Sequence, residues 1–242
     1  WGTGGAPGIG NTTHSDDFWY SYDPVGIDLQ DDAISVSVGA YHICALLNDG
    51  SVYCWGYLEP GLGDGTNTDA QSLPVQVSLP QGSNATGISS GESHSCALMD
   101  NGTIYCWGKG ANGRLGNGDT SDRTTPTMVS GISDAVEISA GGKHTCAIMD
   151  NGSGYCWGLG GDGQLGNGDT AGSWTNPVMV TGDHDFSSIS SGTDHTCAID
   201  SNGDVLCWGA SDYGKNGRNS DISNPGYVTL LGVDTVKSIA VG

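Results

Sequence analysis

Eight cysteines stand in four pairs at one spacing: Cys44 with Cys54, Cys96 with Cys106, Cys146 with Cys156, and Cys197 with Cys207. A histidine lies two residues ahead of each pair, at His42, His94, His144 and His195. Thiol pairs in an oxidising compartment form disulfides, and closing so short a loop is worth about 3 kcal/mol in the chain-entropy account. One histidine with two cysteines also supplies three zinc ligands, but local zinc ligands usually use a closer cysteine spacing, and no fourth ligand recurs here. Disulfides are therefore the expectation, with zinc or buried free thiols as alternatives. The four histidines are expected to hold turns by hydrogen bonding; the competing role is a ring around an axis that binds a metal or anion.

Other residues suggest further chemistry. The oxygen-rich stretches Asp64 to Asp69, Asn117 to Asp119 with Asp122, and Asn167 to Asp169 offer calcium-type ligands. They lack the glutamate-closed loop of an EF-hand, and Asp and Asn also form turns, so calcium ranks low and no cofactor is expected. Asn11, Asn84, Asn101 and Asn151 each open an N-glycosylation triplet. Phe18, Trp19, Tyr20 and Tyr22 cluster among acids in a stretch that has no counterpart elsewhere, a composition suited to anchoring an interface or covering the edge of a sheet. No paired-carboxylate, Ser/His/Asp or phosphate-loop signature appears, so an enzyme ranks last among the readings.

The elements that must position these residues are repeated. Cys-Trp-Gly occurs at Cys54, Cys106, Cys156 and Cys207, and a further Trp-Gly opens the chain; the steps from Trp1 to Trp55, Trp107, Trp157 and Trp208 are 54, 52, 50 and 51 residues. Such a period signals a propeller, solenoid or array. In one unit, Ile34, Val36 and Val38 alternate as a strand, His42 to Leu47 reads as a second, Ser51 to Trp55 as a third, and Pro74 to Leu79 as a fourth. Strands two and three are joined by loops such as Asn48-Asp49-Gly50, with glycine in the place a left-handed residue requires.

Centring that loop on Asp49 opposes Cys44 to Cys54, so the register itself selects the disulfide pairing. It also puts Cys44, Leu46, Val52 and Cys54 on one face and Ala45, Leu47, Tyr53 and Trp55 on the other. Both faces are apolar, as expected for sheets packed face to face. The fold expected is all-β, a β-propeller of four-stranded antiparallel blades. It is a single repeat array over 1–242 with hairpins near 42–56, 94–108, 144–158 and 195–209, and about five blade units that would suit part of a larger ring.

Composition narrows the partners. The net charge of −20, from 7 basic and 27 acidic residues, repels phosphate backbones and anionic lipid, which excludes nucleic acid. No apolar run is long enough for a membrane helix. A chain starting at Trp1 is expected to be a processed or truncated product. It ends on Ile239-Ala240-Val241-Gly242, matching Ile138 to Gly141, so the missing hairpin is expected from a longer chain or a neighbouring molecule.

The unit from Gly141 to Thr170, with Pro177 and Val180 after it, resembles the repeat of the regulator of chromosome condensation family, in a secreted, disulfide-containing form. Gly113-Arg114-Leu115-Gly116 and Gly163-Gln164-Leu165-Gly166 carry the Leu-Gly segment closely; Gly61-Leu62-Gly63 and Gly8-Ile9-Gly10 match less well, and Gly217-Arg218-Asn219 faintly. The resemblance implies four-stranded blades, usually seven in a closed ring. The family's nuclear member activates a small GTPase and binds chromatin, and a secreted propeller of the same repeats inhibits β-lactamases through its loops. The expectation is an extracellular or cell-surface module, non-catalytic, that binds other proteins or copies of itself; the alternative is a secreted inhibitor or carbohydrate-binding propeller.

Overall fold

The computed structural model describes residues 26–68, 70–217, 222–227 and 236–242. The described residues hold four antiparallel sheets, each of four strands in sequential order. Blade 1 is β1 (Ala33–Val38), β2 (His42–Leu47), β3 (Val52–Tyr57) and β4 (Ala70–Gln76); blade 2 is β5 (Ala85–Ser90), β6 (His94–Met99), β7 (Ile104–Gly108) and β8 (Arg123–Met128). Blade 3 is β9 (Ala135–Ala140), β10 (His144–Met149), β11 (Gly154–Leu159) and β12 (Ser173–Met179); blade 4 is β13 (Phe186–Ser191), β14 (His195–Asp200), β15 (Val205–Gly209) and β16 (Ile222–Tyr227). Residues 236–242 lie beside blade 4 as the inner segment of a further unit.

The hairpin register follows from the turn. Gly50 takes φ 81°, and its N–H closes on the Leu47 carbonyl at 3.0 Å. Cys44 then faces Cys54, Ala45 faces Tyr53 and Leu46 faces Val52. The same opposition recurs in blades 2, 3 and 4.

The two faces of each hairpin are buried against different neighbours. The cysteine face of blade 1 packs on Ala97, Met99 and Trp107 of blade 2. Blade 2 repeats this against Ala147, Met149 and Trp157, and blade 3 against Ala198 and Trp208. Cys197, Ile199, Val205 and Cys207 of blade 4 lie under Val236, Ile239 and Val241. Ala45, Leu47, Tyr53 and Trp55, on the tryptophan face of blade 1, pack with Ile27 and Leu29.

The fourth strand corrects the expectation. It spans Ala70–Gln76 rather than Pro74 to Leu79, because pairing starts where Tyr57 meets Ala70. The register then shifts between Gly56–Gln71 and Cys54–Val75, leaving Pro74 in the irregular stretch. Proline has no N–H for a ladder, so an irregularity in an outermost strand is where it is tolerated. Pro126 and Pro177 occupy the same place in β8 and β12.

Because every blade is a simple meander, each has two ends. Hairpin tips and blade-to-blade connections share one, the tip end. The short β1–β2-type turns and long β3–β4-type loops share the other, the loop end. At the tip end the Gly50, Gly102, Gly152 and Gly203 carbonyls accept the N–H groups of Ala85, Ala135, Phe186 and Val236, at 2.8–3.1 Å. Each tip thereby fixes the start of the next inner strand.

Candidate functional site

Along the axis, one serine per blade reaches its neighbour. Ser37 Oγ accepts the Ser90 N–H at 2.8 Å, Ser89 Oγ that of Ala140 at 2.9 Å, Ser139 Oγ that of Ser191 at 2.8 Å, and Ser190 Oγ that of Val241 at 3.0 Å. Sequence reasoning missed these serines. Their signal was a recurring Ser-x-Gly at Ser37, Ser89, Ser139 and Ser190. The glycine that follows is required by close approach: a Cβ on Gly141 would lie 2.4 Å from the Gly192 carbonyl oxygen and 2.5 Å from His144 Cε1. The inner strands border a cavity of ≈ 540 Å³ lined by Gly39, Gly91, Gly141 and Gly192, with Glu92 and Thr193 nearby.

Three of the four histidines, His42, His94 and His144, join blades rather than closing their own turns. His42 Nε2 lies 2.7 Å from Ser95 Oγ, His94 Nε2 2.8 Å from Thr145 Oγ1, and His144 Nε2 2.9 Å from Thr196 Oγ1. Thr145 gives its single hydroxyl proton to the Arg114 carbonyl, and Thr196 gives its proton to that of Gln164, each at 3.0 Å. The ring nitrogen facing each hydroxyl must therefore carry the proton, which fixes His94 and His144 as neutral Nε2–H tautomers. Their Nδ1 atoms are buried without a hydrogen-bond partner, as is that of His42, whereas His195 Nδ1 faces the Asp194 carboxylate at 3.5 Å. Burial pushes His42 down to about 4 and His144 to about 3, and drives His94 well below its ordinary value.

The tryptophans complete the same seams. Trp157 Nε1 donates to the Arg114 carbonyl at 3.0 Å, and Trp208 Nε1 to that of Gln164 at 2.9 Å. Gly116 and Gly166, both at φ 68°, let the long loop lie against these rings, where a Cβ would come within 2.7–2.8 Å of the indole nitrogen. Trp107 meets the blade 1 loop, where Gly63 follows its tryptophan one residue sooner than Gly116 and Gly166 follow theirs, and its Nε1 is buried without a partner. Trp157→Phe is therefore expected to cost about 1 kcal/mol more than Trp107→Phe in denaturant unfolding, the worth of one neutral hydrogen bond. Equal costs would contradict this account.

In blade 4 the loop segment is Gly214-Lys215-Asn216-Gly217, with Gly214 and Gly217 at φ 77° and 67°. This corrects the sequence alignment on Gly217-Arg218-Asn219. Asn216 replaces the buried leucine and donates to the Gly209 carbonyl at 3.0 Å.

The eight cysteines form four disulfides within the hairpins: Cys44–Cys54, Cys96–Cys106, Cys146–Cys156 and Cys197–Cys207, with Cα atoms 4.0–4.1 Å apart. Their sulfurs are thus committed to one another, and the ring Nε2 atoms of His42, His94 and His144 to neighbouring hydroxyls, so these groups do not come together as zinc ligands. The acidic loops close turns. Asp64 Oδ1 accepts the Thr66 N–H at 3.0 Å, Asp119 Oδ1 that of Ser121 at 2.8 Å, and Asp169 Oδ1 that of Ala171 at 2.8 Å. Asp122 pairs with Lys109 at 3.1 Å. Phe18, Trp19, Tyr20, Tyr22 and Asn11 lie outside the described residues, as do Trp1, Gly8 to Gly10, Asp69, Arg218 and Asn219.

The two ends of the blades differ. Of the six lysines and arginines among the described residues, Lys109, Arg114, Lys143 and Lys215 lie in loop-end segments and Arg123 opens β8 beside them; Lys237 is the exception. Arg114 is buried and spends its guanidinium on the Ala111 and Gly142 carbonyls and Asn112 Oδ1. Lys109 bridges Glu59 and Asp122, and Lys215 holds Asp194 at 2.7 Å. Tyr41 and Tyr57 form an exposed edge-to-face pair with centroids 6.5 Å apart. Tyr213 is fully exposed at φ 59°, a conformation that costs a non-glycine residue about 1 kcal/mol or more. The tip end carries Asp49, Asp100, Asp134, Asp150, Asp185 and Asp204, together with Asn84, Asn101 and Asn151.

Comparison with known proteins agrees with this architecture. The family model of the RCC1-like domain matches residues 1–242. The Arabidopsis thaliana ultraviolet-B receptor UVR8 is 33% identical over 86% of this chain and 48% of its own length. The human probable E3 ubiquitin-protein ligase HERC4 is 30% identical over 86% of this chain and 15% of its own. Human WBSCR16 superposes with a TM-score of 0.80 at 22% identity, covering 89% of this chain and 59% of that structure. Yeast RCC1 (Prp20) in its complex with Kap60 gives 0.75 at 21% identity, covering 86% and 51%. The chain thus spans about half the length of UVR8 and far less of HERC4.

Proposed function

The chain belongs to the RCC1-like domain family, and from that premise we propose that it is a non-catalytic protein-interaction propeller of an oxidising, extracellular or cell-surface setting, which meets its partner through the loop end. One observation carries the reading. The recurring chemistry, from cystines, histidines and tryptophans to the axial serines, is consumed in the seams between blades, whereas Tyr41, Tyr57 and Tyr213, which have no aromatic counterpart in the other described blades, stand exposed at the loop end. Four cystines in 242 residues support the compartment, since disulfides persist where thiols are not kept reduced. Among the described residues no helix is long and apolar enough to cross a membrane.

Yeast RCC1, a protein similar to this chain in fold, has been seen bound to Kap60. Tyrosines offer large contact area at low conformational cost, and exposed aromatic anchors dominate interface energetics. Replacing Tyr41, Tyr57 and Tyr213 together by alanine is expected to weaken capture of proteins from the extracellular fraction of the source cells at least tenfold. The unfolding midpoint should change little, because none of the three is buried in a seam. Capture that survives this triple variant but is lost when tip-end acids are replaced would overturn the assignment to the loop end. A failure of the oxidised chain to retain any protein would overturn the interaction reading itself.

A further inference from the structure

Two tip-end asparagines are placed differently from the third. Asn101 Oδ1 accepts the Thr103 N–H at 3.1 Å and the Thr103 hydroxyl at 2.6 Å; Asn151 Oδ1 does the same with Ser153, at 3.0 and 2.5 Å. Both asparagines are exposed on three-residue tips, beside the glycines whose carbonyls hold the start of the next blade. The carboxamide oxygen is thereby held toward the backbone. Asn101 Nδ2 uses one of its two protons on Ser83 Oγ at 3.0 Å, so a substituent can replace the other. At Asn84 the hydroxyl two residues on is committed elsewhere. Thr86 Oγ1 donates to the Leu98 carbonyl at 3.3 Å, and the Asn84 side chain covers Gly50.

We propose that Asn101 and Asn151 are N-glycosylated, and that this sugar makes the tip end the solvent-facing side of the propeller, leaving the loop end for protein contacts. The donor class is a lipid-diphosphate-linked oligosaccharide. Nδ2 bonds to the anomeric carbon, the bond from that carbon to the diphosphate oxygen breaks, and one Nδ2 proton passes to the transferase. Nothing is oxidised or reduced. The proposal rests on the oxidising-compartment reading above, because glycosyl transfer of this kind and disulfide formation share the secretory route. Blade 1 offers an internal comparison, since Asp49 Oδ1 accepts the Ser51 N–H and hydroxyl at 2.8 and 2.6 Å but has no amide nitrogen to modify.

The test is to export the 242-residue chain from cultured eukaryotic cells and release glycans with peptide-N-glycosidase in heavy-oxygen water. Disulfides are mapped on the same sample. The expected result is heavy-oxygen labelling at Asn101 and Asn151, little at Asn84, and four intact cystines. Asn101→Gln and Asn151→Gln should each remove one glycan, and Asp49→Asn should add one. Four cystines with Asn101 and Asn151 unlabelled would overturn this proposal alone. Labelling of Asn84 equal to that of the tips would overturn the geometric basis. Free cysteines would overturn the compartment reading and this proposal with it.

Discussion

Reduction of the four disulfides is expected to unfold the protein at room temperature. Each closes a loop with a sequence separation of 10 residues, worth about 3 kcal/mol in the chain-entropy account, so the four together contribute on the order of 10 kcal/mol. That equals the whole stability of an ordinary domain, roughly 5–15 kcal/mol. Location compounds the effect, since Cys96, Cys106, Cys146 and Cys156 are fully buried against the tryptophan of the next blade. Loosening one hairpin therefore also loosens a seam. The measurement is a urea titration followed by tryptophan fluorescence, with and without reductant. A reduced protein that keeps its midpoint would refute the argument. The single double replacement Cys146→Ala with Cys156→Ala should remove about 3 kcal/mol and leave the chain folded.

Mild acid is expected to be the second strong destabiliser. His42, His94 and His144 are held neutral in the seams, with pKa values pushed by burial to about 4, well below the ordinary value, and to about 3 respectively. In the unfolded chain they titrate near 6.5. Between that value and about 4 the unfolded state binds protons that the folded state refuses, so stability falls as pH falls through this window. Each histidine contributes about 1.4 kcal/mol per pH unit, and the three together about 4 kcal/mol per unit. Carboxylates act lower down: bonds from Ser51 hold Asp49, and the Ser121 N–H holds Asp119, below the usual range, so their contribution is lost only at still lower pH. Unfolding free energies measured from pH 7 to 4.5 should show the slope, and His94→Gln, which keeps an amide donor toward Thr145, should reduce it by about one third. A flat profile over that range would show that the seams admit charge.

Much of the architecture was legible because it depends on short-range geometry. Asn48-Asp49-Gly50 dictates a hairpin, the hairpin dictates that Cys44 meets Cys54, and alternation then separates Cys54 from Trp55. The seam partners were not legible in the same way. His94 recurs visibly, but its acceptor Thr145 lies 51 residues on in another blade, and periodicity reports recurrence without saying what a residue touches. The hydroxyl varies between Ser95, Thr145 and Thr196, and the corresponding place in blade 1 is Ile43, which blurs the signal further. Pro74 drew the fourth strand toward Leu79 because proline reads as a strand opener, whereas it sits inside an irregular edge strand. At the candidate surface, no sequence pattern sets Tyr213 apart; its exposure and positive φ distinguish it.

The cysteine face of one blade always receives the tryptophan face of the next, and the serine of one receives the N–H of the next, so every joint has a socket side and a plug side. A DNA segment encoding one period, copied in frame between equivalent glycines such as Gly91 and Gly141, would deliver a plug and a socket together. Lineages carrying this repeat can therefore gain or lose blades by duplication or deletion without having to evolve a new joint.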